Sequence, residues 1–209
     1  MKVQILGPAD FRKMPWKNGL GVTTELAVAH RTGEDGFDWR ISTATVATAG
    51  PFSVFAGIDR SLAIVRGGSL TLNVEGRDDV TLTTQTSPYA FGGELAVSST
   101  PMLENAGVPI DDFNVMTRRS EWQHTLVQHR LTGDVVTWAL PTQAGSVAFL
   151  YCAAGDVSVA LTNGEVVKVP SGHALRIEGI DQIDTPACQL RAEGPSSDVF
   201  LTCLTRLHD

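Results

Sequence analysis

Positive charge is thin in this chain of 209 residues. Sixteen lysines and arginines stand against 23 aspartates and glutamates, the formal net charge is −7, and no basic run exceeds the pairs Arg12–Lys13 and Arg118–Arg119. A phosphate backbone is held by clustered cations that displace its counterions, so nucleic acid is not expected as a partner. Long apolar runs are missing too: Val147 to Ala154 is the longest, far short of the roughly 18 residues that cross a bilayer as a helix. The first twenty residues include Lys2, Asp10, Arg12, Lys13 and Lys17 and hold no apolar stretch of signal-peptide length. No membrane partner is expected, and a cytoplasmic location is. Three cysteines occur, Cys152, Cys188 and Cys203, with no CxxC spacing; odd in number and set in apolar stretches, they read as reduced core residues. The catalytic templates are absent as well. There is no GxSxG elbow, no P-loop and no cysteine with a recognisable histidine partner, and Asp78–Asp79 falls in a turn-like stretch.

What is present is alternation with a period of two. Leu70, Leu72 and Val74 alternate with Ser69, Thr71 and Asn73; Val80 and Leu82 with Thr81 and Thr83; Val157, Val159 and Leu161, then Leu175 and Ile177, repeat the pattern. Side chains on a strand point to opposite faces in turn, so these are half-buried strands. Gly67–Gly68, Glu75–Gly76, Gly92–Gly93, Asn163–Gly164 and Ser171–Gly172 separate them as turns, and no window of eleven residues carries an apolar stripe of helical period. With 43% hydrophobic residues there is material for real cores. The stretch from Leu62 to Leu72 is echoed from Phe149 to Val159, placing Gly68 on Gly155, and each copy runs strand, glycine turn, strand, turn, strand. Short strands at this spacing close into small barrels or jelly rolls. The expected architecture is all-β with two such barrels in tandem, residues 1–118 and 119–209; a single sandwich is the alternative, because one weak repeat does not prove duplication.

Four ordered stretches carry a more specific signal. They are Pro15–Trp16–Lys17–Asn18–Gly19 with Thr24–Glu25–Leu26; Trp39–Arg40–Ile41–Ser42–Thr43–Ala44; Gly50–Pro51–Phe52–Ser53–Val54–Phe55–Ala56–Gly57–Ile58–Asp59–Arg60; and Asp112 to Arg119. Over roughly the first 120 residues the chain resembles the HutD/Ves family, departing from it at Leu20–Gly21–Val22, where the family more often shows further glycine. The resemblance implies a bicupin fold of two RmlC-like jelly-roll barrels. It also implies a link to histidine utilisation, in which the protein senses or binds a small acidic intermediate, N-formylglutamate, rather than catalysing a step. Another branch of the family is associated with stress and temperature responses.

Metal-dependent cupins converge on an ion with two histidines two residues apart, a carboxylate and a third histidine. This chain has no HxH; His124 and His129 are five apart and point to opposite faces of a regular strand, and His30, His173 and His208 are isolated. Neither a metal nor another cofactor is expected. Where a metal cupin would place its ligands, upstream of the Leu62 strand, this chain has Phe52 to Phe55 and then Arg60. An apolar pocket with a fixed guanidinium suits a carboxylate; a loop-capping surface ion pair is the other use for Arg60. Arg40, Ser42 and Ala44 share one strand face, either a barrel interior with room for a ligand or simply the solvent side.

The expected site therefore comprises Trp16, Lys17, Asn18, Glu25, Arg40, Phe52, Phe55, Arg60, Asp112 and Asn114. Trp16 would be a stacking wall, Lys17 and Asn18 a cation and an amide facing inward, Glu25 an acceptor or a partner for Lys17, and Asp112 with Asn114 would close the polar ring. The expected partner is a small acidic metabolite, with a homodimer compatible with the sequence. Two rivals stand beside a binding protein: a metal-free enzyme of isomerase or hydrolase type using Lys17 with Glu25 or Asp112, and a scaffold whose pocket is incidental.

Overall fold

The structure is a computed structural model that describes residues 1–16, 21–31, 36–103, 108–180 and 186–207. All regular structure in the described residues is β. The strands are β1 (Lys2–Leu6), β2 (Arg12–Pro15), β3 (Gly21–His30), β4 (Phe37–Val46), β5 (Gly50–Pro51), β6 (Ile58–Arg66) and β7 (Ser69–Val74). They continue as β8 (Val80–Leu82), β9 (Tyr89–Gly92), β10 (Val97–Met102), β11 (Ile110–Arg118), β12 (Trp122–Leu131) and β13 (Val136–Ala139). The last six are β14 (Val147–Ala154), β15 (Val157–Ala160), β16 (Val166–Val169), β17 (Ala174–Glu178), β18 (Ala187–Ala192) and β19 (Ser197–Arg206). No helix among the described residues is long and apolar enough to cross a membrane.

Two compact units result, and each is a pair of sheets. Phe11–Ser120 form one, with a six-stranded sheet ordered β2-β3-β4-β11-β6-β9 and a four-stranded sheet β5-β10-β7-β8. Met1–Asp10 and Glu121–Asp209 form the other, with sheets β1-β17-β14-β19-β12 and β13-β18-β15-β16. The boundary expected from the sequence differs at one end. Residues 1–10 belong with the C-terminal unit, because β1 pairs antiparallel with β17 from Lys2 against Glu178 to Leu6 against Ala174.

The strand orders make the faint sequence echo a structural duplication. β4-β11-β6-β9 in one unit corresponds to β12-β19-β14-β17 in the other, and β5-β10-β7-β8 corresponds to β13-β18-β15-β16. Even the irregularity repeats: the β6–β11 ladder slips between Asp111 and Asp112, and the β14–β19 ladder slips between Cys152 and Ala154. Aligned on that bulge, Leu62 and Ile64 correspond to Leu150 and Cys152, all four buried in their own core; this shifts the sequence echo by one residue and sets Gly67 rather than Gly68 on Gly155. A bulge adds one residue to one strand and bends it, so its recurrence at one place in both sheets ties the registers together. The single-sandwich alternative is thereby replaced by two eight-stranded frameworks of one topology, extended by β2 and β3 in the N-terminal unit and by β1 in the other.

The two interiors are furnished differently. The C-terminal unit is filled by Leu131, Trp138, Leu150, Cys152, Val199, Leu201 and their neighbours. In the N-terminal unit the apolar cluster of Leu62, Ile64, Leu70, Leu72, Phe91 and Ile110 occupies part of the interior. The remainder is an open cavity. All three cysteines are free; Cys152 and Cys188 are buried and Cys203 is half-buried, and burial pushes the Cys152 thiol up to about 12 and the Cys188 thiol up to about 11. At those values the reactive thiolate is scarce at neutral pH, which fits packing residues.

Candidate functional site

Three neighbouring strands build the floor of the cavity. In the register of β4, β11 and β6, Met116 stands opposite Arg40 on one side and Arg60 on the other. One step along, Asn114 lies between Ser42 and Leu62; one further, Asp112 lies between Ala44 and Ile64. These rows share a face because alternate residues of a strand point the same way. The opposite face of the same strands carries Trp39, Ile41, Phe113 and Val115, all buried. Adjacent strands are about 4.8 Å apart, so the backbones of Arg40 and Arg60 are separated by roughly 10 Å.

The segment after β5 brings aromatic rings over this floor. Phe52 N–H donates to the Val97 carbonyl at 2.8 Å and Phe55 N–H to the Gly93 carbonyl at 2.7 Å. Gly93 is required there: a Cβ would sit 2.7 Å from the Phe55 carbonyl oxygen and 2.9 Å from that of Ile58. With the loop so held, both guanidiniums lean onto one ring. Arg40 lies 5.6 Å from the Phe55 centroid and 5.1 Å from that of Phe37. Arg60 lies 5.8 Å from Phe55, 5.1 Å from Phe52 and 5.0 Å from Phe91. The negative face of an aromatic ring attracts a cation and restricts its rotamers, so these arginines are oriented before any ligand arrives.

Neither guanidinium has a carboxylate within ion-pairing reach among the described residues. Arg60 donates to the Ser53 carbonyl at 3.4 Å and Arg40 to the Met116 sulfur at 3.3 Å, both weak contacts. Arg60 is only 5% exposed, which rules out the loop-capping surface ion pair. Burial lowers its pKa to about 10, with Asp112 opposing that shift; Arg40 is lowered by burial, with Glu25 opposing it. Both stay charged at neutral pH. Asp112, 3% exposed, is pushed up to about 7 by burial, against the pull of Arg60. One oxygen each of Asp112 and Asn114, and the Nε of both arginines, are buried without a hydrogen-bond partner.

The cavity enclosed by these groups measures about 720 Å³, within the range of small-molecule sites. Trp16, Arg40, Phe52, Phe55, Arg60, Asp112 and Asn114, seven of the residues singled out in the sequence, line it, and Lys17 and Asn18 lie outside the described residues. Glu25 is different. It is buried on β3, 3.3 Å from the Arg12 guanidinium, and is not part of the lining. Its register partner on β4, Ser42, does line the cavity, but the Glu25 carboxylate is engaged by Arg12 and acts on Arg40 only through its charge. Met14, Thr23, Ser53 and Ser99 also line the cavity and were missed in the sequence, as were Phe37 and Phe91 beneath the arginines. Phe37 opens β4 itself, and the others come from other strands and loops, whose alignment with β4 and β6 no local pattern reveals.

Trp16 forms one wall in a defined way. Its indole N–H donates to Thr23 Oγ at 2.9 Å, its backbone N–H to the Gly21 carbonyl at 2.9 Å, and its ring covers Gly21. A Cβ at Gly21 would stand 2.8 Å from both the Thr45 carbonyl oxygen and the ring. Gly21→Ala is therefore expected to cost about 1 to 2 kcal/mol, in the lower range for overpacking. It should also turn the indole away from the cavity. Denaturant unfolding with tryptophan fluorescence checks both, and an unchanged midpoint would contradict the fit described.

The comparisons with known proteins agree with this architecture. The profile of the HutD family matches residues 8–195. An uncharacterised 21.2 kDa protein in the hutC 3′ region of Pseudomonas putida is 32% identical over 182 residues, covering 87% of this chain and 90% of that protein. Protein Ves of Escherichia fergusonii is 40% identical over 112 residues, 52% of this chain and 56% of that one. Among solved structures, HutD of Pseudomonas fluorescens SBW25 superposes with a TM-score of 0.79 at 27% identity, covering 99% and 100% of the two chains. A conserved protein of unknown function from Pseudomonas aeruginosa PAO1 gives 0.83 at 29%, covering 98% and 100%. The bacterial pirin YhhW from Escherichia coli, at 11% identity and a TM-score of 0.66 over all of both chains, shares the fold alone.

Proposed function

The chain belongs to the HutD family, and from that premise we propose that its N-terminal barrel binds a small acidic metabolite with two carboxylates, N-formylglutamate, within histidine catabolism. The observation that carries this reading is a pair of guanidiniums, Arg60 buried and Arg40 half-buried, both over the Phe55 ring and neither paired with a carboxylate among the described residues. Two cations withdrawn from water to this degree and facing one cavity are costly unless anions come to them, and the planar fork of arginine matches a carboxylate through two hydrogen bonds. The duplicated unit supplies the contrast. Aligned on the shared bulge, Arg60, Asp112 and Asn114 correspond to Ala148, Val199 and Leu201, all in an apolar core. The framework closes without those polar groups, so their presence in the N-terminal unit serves something other than folding. The neighbourhood of hutC in the name of the Pseudomonas putida relative supports the metabolic setting.

Calorimetric titration tests the reading. N-formylglutamate is expected to bind once per chain and, at about a hundred times its dissociation constant, to stabilise the native state by about 2.7 kcal/mol. Absence of saturable heat and of any rise in melting temperature would overturn it. One observation favours an enzyme as a second reading: a buried carboxyl at about 7, acted on by the Arg60 guanidinium, is poised to exchange a proton with a ligand. The same incubations followed by mass spectrometry decide that point, since a binding protein returns the compound unchanged.

A further inference from the structure

We propose that Asp112 and Asn114 are specificity-determining residues that read a hydrogen-bond donor on the ligand, so that the cavity selects an N-acylated amino dicarboxylate over a plain dicarboxylate or a free amino acid. The inference rests on the carboxylate-binding reading of Arg40 and Arg60 given above.

Asp112 and Asn114 occupy alternate positions of the central floor strand, one and two steps along the ladder from the arginine row. Both side chains are at least nine-tenths buried, and both line the cavity. Each keeps one oxygen without a hydrogen-bond partner. Native proteins rarely leave buried acceptors unpaired, and two of them side by side on a cavity floor call for a donor. Among the described residues no donor reaches either oxygen; Thr23 Oγ lies against the Trp16 indole as its acceptor, and both arginines lean toward the aromatic rings.

The chemistry of the donor follows from its surroundings. An ammonium would have to shed tightly held water and enter beside two guanidiniums, which repel it. A neutral amide N–H carries no such penalty and brings a donor to this pair of acceptors. An aliphatic dicarboxylate would satisfy the arginines and leave both acceptors unpaired, and sites built around buried polar groups reject ligands that lack the matching group.

The experiment measures the dissociation constants of N-formylglutamate, glutarate and glutamate by calorimetry at pH 7 for the full chain. N-formylglutamate is expected to bind at least tenfold more tightly than either of the others, and the ratio should collapse toward one in Asn114→Leu and in Asp112→Val. These variants install the kind of residue found at Leu201 and Val199 in the duplicated unit, where the same framework accommodates it. Asp112→Asn keeps an acceptor and is expected to preserve more of the ratio than Asp112→Val. Tight binding of N-formylglutamate with a ratio near one in the wild type would overturn this inference alone. So would a ratio unchanged in both apolar variants. No binding of any of the three compounds would overturn it together with the carboxylate-binding reading.

Discussion

Arg60→Ala is expected to weaken the binding of N-formylglutamate by about 2 to 5 kcal/mol, the usual range for removing one side of a buried, hydrogen-bonded charge pair. At 1.4 kcal/mol per decade the dissociation constant rises from roughly thirtyfold to several thousandfold. The size follows from where the guanidinium sits. It is 5% exposed and lies within 5.8 Å of three ring centroids, so a ligand carboxylate deprived of it has no water-like substitute. Arg60→Lys should recover only part of the loss, because an ammonium keeps the charge and loses the planar fork that stacks and pairs at once. A second readout separates the charge from mere packing. Arg60 holds the Asp112 carboxyl down against its own burial, so the alanine variant should titrate Asp112 at a higher pH than the wild type does. Equal affinities in wild type and both variants would remove Arg60 from the site.

Asp112→Asn should stabilise the unliganded protein at pH 8 and do much less at pH 4. In the folded chain the Asp112 carboxyl sits near 7, against an ordinary value of 3.8. Between those values the folded state keeps a proton that the unfolded state has released. Stability therefore falls as pH rises from about 4 to about 7, and the full deficit persists above that window. Linkage over such a span amounts to roughly 2 to 4 kcal/mol, which asparagine, never charged, does not incur. The charged groups facing Asp112 are Arg60 on β6, which works against the shift, and its neighbour Asp111, which reinforces it. Asp111 stays on the outer side of the bulge, held by Thr45 and Arg66. Chemical denaturation of both proteins across that pH range would show the difference opening. A difference that stays constant from pH 4 to pH 8 would contradict it.

How much of this could be read beforehand varies with the kind of information. The alternation of Leu70, Leu72 and Val74, and that of Val157 and Val159, appears in the structure as buried rows of β7 and β15. The echo between the Leu62 and Phe149 stretches reports a shared topology. Arg40, Ser42 and Ala44 do share the face that lines the cavity, since period-two reasoning works within a regular strand. It does not say which neighbour a side chain will turn to, as Glu25 with Arg12 shows, and it fails across long connections. Nothing near Phe91 in the sequence says that its ring lies under Arg60, because the β6–β9 pairing brings together residues some thirty positions apart. For the same reason nothing in Lys-Val-Gln-Ile-Leu points to β17 as its partner: five residues of mixed polarity fit any sheet edge.

That last pairing bears on how the chain is made and how it can be cut. β1 is synthesised long before Ala174–Glu178, the segment it pairs with. At ordinary elongation speeds it waits on the order of ten seconds or more with its backbone amides unmatched. The N-terminal unit can close in that interval, whereas the C-terminal sheet lacks its β17-side edge strand until both ends of the chain are available. A gene fragment ending at Ser120 would thus carry an orphan strand and leave the other fragment with a bare sheet edge of the kind that recruits neighbours. Fragments divided as Phe11–Ser120 on one side, with Met1–Asp10 joined by a linker to Glu121–Asp209 on the other, follow the seams of the molecule itself.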